Sequence, residues 1–482
     1  MSRYVLAGID RAPYAEAAIP CFLFCHGVSM RKFRTLLGAT LAGACAITAL
    51  PGVASAAPAA PQSSAALAGE ATGTYYPLAP ARLMDTREGL GAPKAKIGPQ
   101  SKVDLQVTGR GGVPSAGVGS VVLNVTITGA TMNSFVTAYP AGESLPNASS
   151  INFAKGWLGS NSVTVKVGAG GKVSVYNRNG ATDVIVDVVG WYANDTSTAA
   201  AGGQYHPFIP TRMFDTREPG EGKLPAGAWI DYAIDFGDEN ANLRSLVLNV
   251  TVAAPERAGF VTVWSGSGSR PTASTVNYGA GKVVPNLTYV KLRPCTEAWC
   301  EGAPVFRVYT SANTHVITDL VGAMFDTTVP YGLRFQPMSP TRIVDSRINQ
   351  GIAGPLGAGS VRKVTTPGEL ITDATWALAM NVTAVQPTKN TVITAWPADY
   401  NDVPKPDASH LNPAAGQVVS GGVLTEIGPY KAFNVHNLTG SVNLVVDVVG
   451  SFYLPEITAV AGRTAKPAAT SPQVDTHSQR QR

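Results

Sequence analysis

Three short segments concentrate the ionisable chemistry of this chain of 482 residues. They carry Arg82, Asp85 and Arg87, then Arg212, Asp215 and Arg217, then Arg342, Asp345 and Arg347, and the aspartates stand 130 apart (215 − 85; 345 − 215). A second set, Asp187, Asp319 and Asp447, lies inside apolar runs such as VIVDVVG. Two carboxylates per repeat could act as acid and base in glycoside hydrolysis. A general acid needs a raised pKa, whereas adjacent guanidinium groups are expected to hold both carboxylates ionised. The pattern therefore favours structure over catalysis. A carboxylate in an apolar strand needs a partner, and the planar arginine fork suits it. The first strand of each repeat is expected to pair with, or pack beside, the last, with the twelve Arg and Asp residues as a structural clasp.

Other residue types give fewer reactions. Ser149, Ser274 and Ser409 recur, but no histidine recurs with them, so no repeated Ser-His-Asp set exists. No metal cluster, phosphate loop or cofactor motif is present, and no catalytic or metal-ligating residue is assigned. Tyr139, Trp264 and Trp396 recur before Pro/Gly loops and are candidates for stacking on sugar rings, with packing at the rim or core as the alternative. Asn124, Asn249 and Asn381 stand in NVT triplets within strand-like runs. Their amides are expected to bond neighbouring backbone, with Asn152, Asn277 and Asn412 doing the same at turns. Cys295 and Cys300 are expected to form a disulfide at a hairpin tip.

These residues are positioned by a unit built three times, over 75–194, 205–326 and 334–454. Each unit opens on aromatic-x-Pro (YYP, YHP, FQP), runs through the Arg-x-x-Asp-x-Arg segment, and ends on DVIVDVVGWY, HVITDLVGAMF or NLVVDVVGSFY. Between lie LNVT or MNVT, then FVT or VIT, then ASSIN, ASTVN or ASHLN. A period near 130 is a whole domain, longer than a solenoid or propeller repeat of roughly 20–50 residues. About eight strand-like runs per unit, rich in β-branched residues and bounded by Gly, Pro and Asn, predict an all-β fold. Three tandem domains of β-sandwich or jelly-roll type follow, with a small closed barrel as the alternative. VGAGGKV and NRNGATD read as hairpin turns. The connections 195–204 and 327–333 predict a string of domains stiffened by end contacts.

Charged residues make up 14% of the chain and the net charge is +5, with no basic stripe, so nucleic-acid binding has no support. From Met30 a basic n-region, an apolar run and Ala54-Ser55-Ala56 read as a secretory signal over 30–56, which makes 1–29 upstream sequence. Cys45 stands in a weak lipobox-like context, and plain secretion is the favoured reading. Residues 57–74 and 455–482 are expected to be disordered. No apolar span follows the signal, so no membrane crossing is expected.

Together, P-x-R-x-x-D-T-R, LNVT, FVT-x-W and VDVVG-x-Y resemble a β-rich module common in secreted actinobacterial proteins, over about 75–454. The resemblance implies an extracellular accessory domain and brings no activity with it. The expected function is a secreted, non-enzymatic surface or matrix protein that binds an extracellular glycan or cell-wall polymer. A structural or adhesive protein and a secreted hydrolase with one active unit remain open.

Overall fold

The computed structural model describes residues 71–195, 202–300, 302–400, 403–455 and 474–481. The segments expected to be upstream sequence and signal, Cys45 and most of the two terminal segments lie outside them. Unit 1 contains β1 (Tyr75–Asp85), β2 (Ser101–Gln106), β3 (Val118–Thr128), β4 (Ser134–Pro140), β5 (Ile151–Phe153), β6 (Gly159–Lys166), β7 (Lys172–Asn177) and β8 (Asp183–Ala193). They form two antiparallel sheets in the orders β1-β8-β3-β6 and β2-β7-β4-β5. That order is an eight-stranded jelly roll, and the barrel alternative falls away. Units 2 and 3 repeat it. In unit 3 the place of β5 is taken by a single bridge between Ile393 and Leu411.

The jelly roll corrects two turns. VGAGGKV joins β6 to β7, and NRNGATD joins β7 to β8, so each crosses from one sheet to the other instead of closing a hairpin. Gly170 and Gly171 take φ of 67° and 72° there, a region that only glycine enters without strain. Each unit encloses its own core from the inner faces of both sheets, with Val121, Leu123, Val125, Val173, Val175 and Val186 central in unit 1. Among the described residues, no helix is long and apolar enough to cross a membrane.

The units do not form a string. They close around a pseudo-threefold axis, because the outer face of each first sheet is also apolar. A further core joins all three units there and includes Tyr75, Tyr192, Tyr205, Met324, Phe335 and Phe452. Ring centroids lie 4.5 Å apart for Tyr192–Phe335 and 4.6 Å for Tyr205–Phe452. The glycine of each VVG run makes room for this hub. A Cβ on Gly190, Gly322 or Gly450 would meet the ring of Tyr75, Tyr205 or Phe335 at 2.2–2.4 Å. Backbone bonds close the circle: Tyr75 N–H donates to Gly203, Tyr205 to Leu333 and Phe335 to Gly73, each at 2.8 Å.

Two segments expected to be disordered are partly ordered. Ala71 and Thr74 are buried, and Gly73 N–H donates to Ala193 O. Residues Asp475–Gln481 form a strand on the edge of unit 2, paired along Trp229–Asp235. An unpaired sheet edge is a template for strand addition, and this one is covered by the chain itself.

Candidate functional site

The clasp residues lie where the first and last strands pair, with Arg82 opposite Asp187, Arg212 opposite Asp319 and Arg342 opposite Asp447. In each unit the arginine Nε donates to that aspartate at 2.8 Å. Its Nη1 reaches Asp85 at 3.4 Å, Asp215 at 3.1 Å or Asp345 at 3.6 Å. The second arginine closes a tight loop: Arg87, Arg217 and Arg347 each donate through side chain and backbone N–H to the aspartate two residues before.

The two sets of carboxylates titrate in opposite directions, which corrects the expectation that arginine holds both down. The Arg87 fork keeps Asp85 below the usual carboxylate range, and Arg347 does the same for Asp345. Burial raises Asp215, but Arg217 outweighs it and the net direction is down. For Asp187, Asp319 and Asp447, burial dominates and pushes the carboxyl up against the pull of its arginine.

The recurring polar motifs meet across seams between units. Asn124 donates to Ser274 O, Asn249 to Ser409 O, and Asn381 to Ser149 O, so the NVT amides bond the next unit and not neighbouring backbone. Two of these serines also cap buried aspartates: Ser274 N–H reaches Asp187 Oδ2 at 3.4 Å and Ser149 N–H reaches Asp447 Oδ2 at 3.2 Å. Asn152 donates to Ser149 and, across a seam, to Ser420, while Asn277 donates to Ser274 and Thr126. Asn412 instead accepts from Ser409 Oγ. Two further amides reinforce two seams. Asn161 donates to Asn381 Oδ1, and Asn286 donates to Asn124 Oδ1. Gly421 holds the equivalent position in unit 3, as the strand register shows, and offers no amide to Asn249.

The aromatic candidates are elsewhere. Tyr139, Trp264 and Trp396 are 4%, 5% and 6% exposed, which leaves no ring face for a sugar. The loop after each strand covers them; in unit 1 Thr137 Oγ1 donates to Ala148 O of that loop. Phe135 lies on the same strand face, four residues earlier, beyond the loop's reach and half-buried. It walls a cleft of about 540 Å³ between units 3 and 1, with Arg342 and Arg347 on one side and Tyr176, Arg178 and Asn147 on the other. A counterpart of about 350 Å³ lies between units 2 and 3, where Arg212 and Arg217 face Ser409, His436 and Lys405. Between units 1 and 2, Arg82 donates to Thr272 O, and within unit 2 Arg270 lies over Tyr309 at 4.3 Å and Phe260 at 5.5 Å. Sequence reasoning passed over these clefts. Their signal was that the recurring arginines and the recurring Ala-Ser turn must meet someone else's copy.

Cys295 and Cys300 are joined, their Cα atoms 5.7 Å apart, at the tip of a hairpin formed by Arg293–Pro294 and Pro304–Thr310.

No family model matches the chain, and no curated protein matches it in sequence. Solved structures similar to it include a chain of Sulfolobus turreted icosahedral virus, 9% identical over 76% of this chain and 86% of that one, with a TM-score of 0.15. Another belongs to an archaeal virus described by its triple jelly roll fold and turret assembly, 9% identical over 80% and 96%, with a TM-score of 0.15. At such scores the likeness carries no argument about this chain.

Proposed function

We propose that this is a secreted, non-enzymatic surface or matrix protein that binds an extracellular glycan or cell-wall polymer in the clefts between its units. The observation that carries this reading is the cleft between units 3 and 1. It combines an apolar and aromatic wall, Leu145 and Phe135, with amide and guanidinium donors, Asn147 and Arg178. Such a mixture suits sugar rings, whose faces are apolar and whose edges are hydroxyls. A counterpart on the same chain adds avidity without a stronger single site. The carboxylates speak against hydrolysis: each is buried and engaged by arginine, and neither is free to reach a glycosidic oxygen.

The test is retention on purified cell walls and insoluble polysaccharides. Arg178 is exposed and outside the clasp, so Arg178→Ala with Asn147→Ala should leave the fold intact. Retention of the wild type, weakened about tenfold in the double variant, supports the reading (about 1.4 kcal/mol). A wild type that is not retained, or a variant retained equally, refutes it.

A further inference from the structure

The seam between units 2 and 3 differs from the other two in what its buried polar atoms touch. Asp187 Oδ2 and Asp447 Oδ2 each accept from an arginine Nη2 and from a serine N–H of the neighbouring unit. Asp319 Oδ2 is buried and has no partner, and neither has the Oγ1 of Thr251. Thr126 and Thr383, its equivalents, are bonded to Asn277 and Ser420. Thr251 pairs with Ile317 across the sheet, and Asn249 with Asp319, so all four side chains present one face to unit 3. Arg212 is also more open than its sisters, at 32% side-chain exposure against 20% and 14%.

Thr251 belongs to the cleft of about 350 Å³ that it lines with Arg212 and Ile317 from unit 2, and with Val392 and Leu438 from unit 3, while Asp319 lies behind Arg212. A buried acceptor left bare costs free energy that a bound hydroxyl returns. The apolar floor suits a ring face, since Leu438 is 49% exposed. Charge decides the class. Arg212, Arg217 and Lys405 bring three positive charges to the lining and Asp407 one negative one, and Asp215 and Asp319, paired with the two arginines behind it, balance the rest. A balanced site with bare hydroxyl partners gives an anionic ligand no advantage.

We infer that the seam between units 2 and 3 binds one pyranose ring of a neutral sugar, with a hydroxyl bonded to Thr251 Oγ1. The inference rests on the glycan-binding reading and narrows it to one seam and one sugar class.

Saturation-transfer NMR on the full chain tests it with methyl α-D-glucopyranoside, methyl β-D-galactopyranoside, N-acetylglucosamine and sodium D-glucuronate. Thr251→Val keeps the shape and removes a hydroxyl that already lacks a partner, so thermal melting should hold or rise. Leu438→Arg fills the cleft from an exposed position. At least one neutral sugar should bind the wild type, weaken at least tenfold in both variants, and be unaffected by Arg178→Ala. Silence from all neutral sugars, or binding that survives both variants, overturns the inference. So does glucuronate binding lost in the same two variants while the neutral sugars stay silent. Retention on insoluble polysaccharide that persists while any of these occurs leaves the broader reading standing and removes only this seam.

Discussion

His410 stands where unit 1 has Ser150 and unit 2 has Thr275. In all three, the side chain accepts a backbone N–H from the neighbouring strand: Ala138 to Ser150 Oγ, Val263 to Thr275 Oγ1, and Ala395 to His410 Nδ1 at 3.1 Å. A hydroxyl does this at any pH. An imidazole does it only while neutral, with its proton on Nε2, which is buried without a partner. Burial accordingly lowers the His410 pKa from 6.5 to about 4. The unfolded chain takes up the proton first, so stability is full above 6.5 and is lost as pH falls towards 4. The span of 2.5 (6.5 − 4) corresponds to about 3 kcal/mol between pH 7 and 4, at about 1.36 kcal/mol per unit.

His410→Thr should erase that dependence. At pH 7 the substitution removes an orphaned donor, roughly 1–3 kcal/mol, and loses ring volume of comparable cost, so the two nearly cancel. Urea unfolding of both proteins, followed by tryptophan fluorescence at several values between pH 7 and 4, isolates the effect, because every other group titrates alike in both. The variant should gain about 3 kcal/mol on the wild type across that range. Parallel stability curves would refute the assignment of a neutral, bonded His410.

Two further outcomes follow from the clasp and the seams. Arg342→Met leaves Asp447 buried without its arginine and should cost about 3–5 kcal/mol, with Arg342→Met/Asp447→Leu recovering most of it. A single variant melting within a degree of wild type would show the pair to be inert. Gly421→Asn should supply the amide missing opposite Asn249 and add about 1 kcal/mol. Leu411 Cδ2, 2.5 Å from where the new Cβ would sit, must rotate aside; a lower melting temperature would mean that it cannot.

Much of the unit was legible because its signals are local. Strand runs, turn residues and the β-branched content are read within ten residues, and they lead to an all-β sandwich. Arg82 and Asp187 are far apart in sequence, yet both lie in one unit, and a buried charge narrows the choice of partner. The seams were not legible for a different reason. Asn124 meets Ser274 and not Ser149, although both serines sit in the same motif. Identical motifs satisfy a string and a ring equally well, so repetition alone could not choose between them. The aromatics failed similarly. Period-two alternation puts Phe135 and Tyr139 on one face, but it does not say that a loop covers the second and spares the first.

The ring of backbone bonds through Gly73, Gly203 and Leu333 has an evolutionary consequence. A symmetric trimer of one small subunit repeats every substitution at all its interfaces. Here three copies are fused, so the partners are always at hand and each interface mutates alone. The chain shows the result. Arg82 bonds Thr272 O across one seam, an aromatic wall lines the second, and bare acceptors remain in the third. Fusion has turned a symmetry constraint into three separate opportunities for specificity on one scaffold.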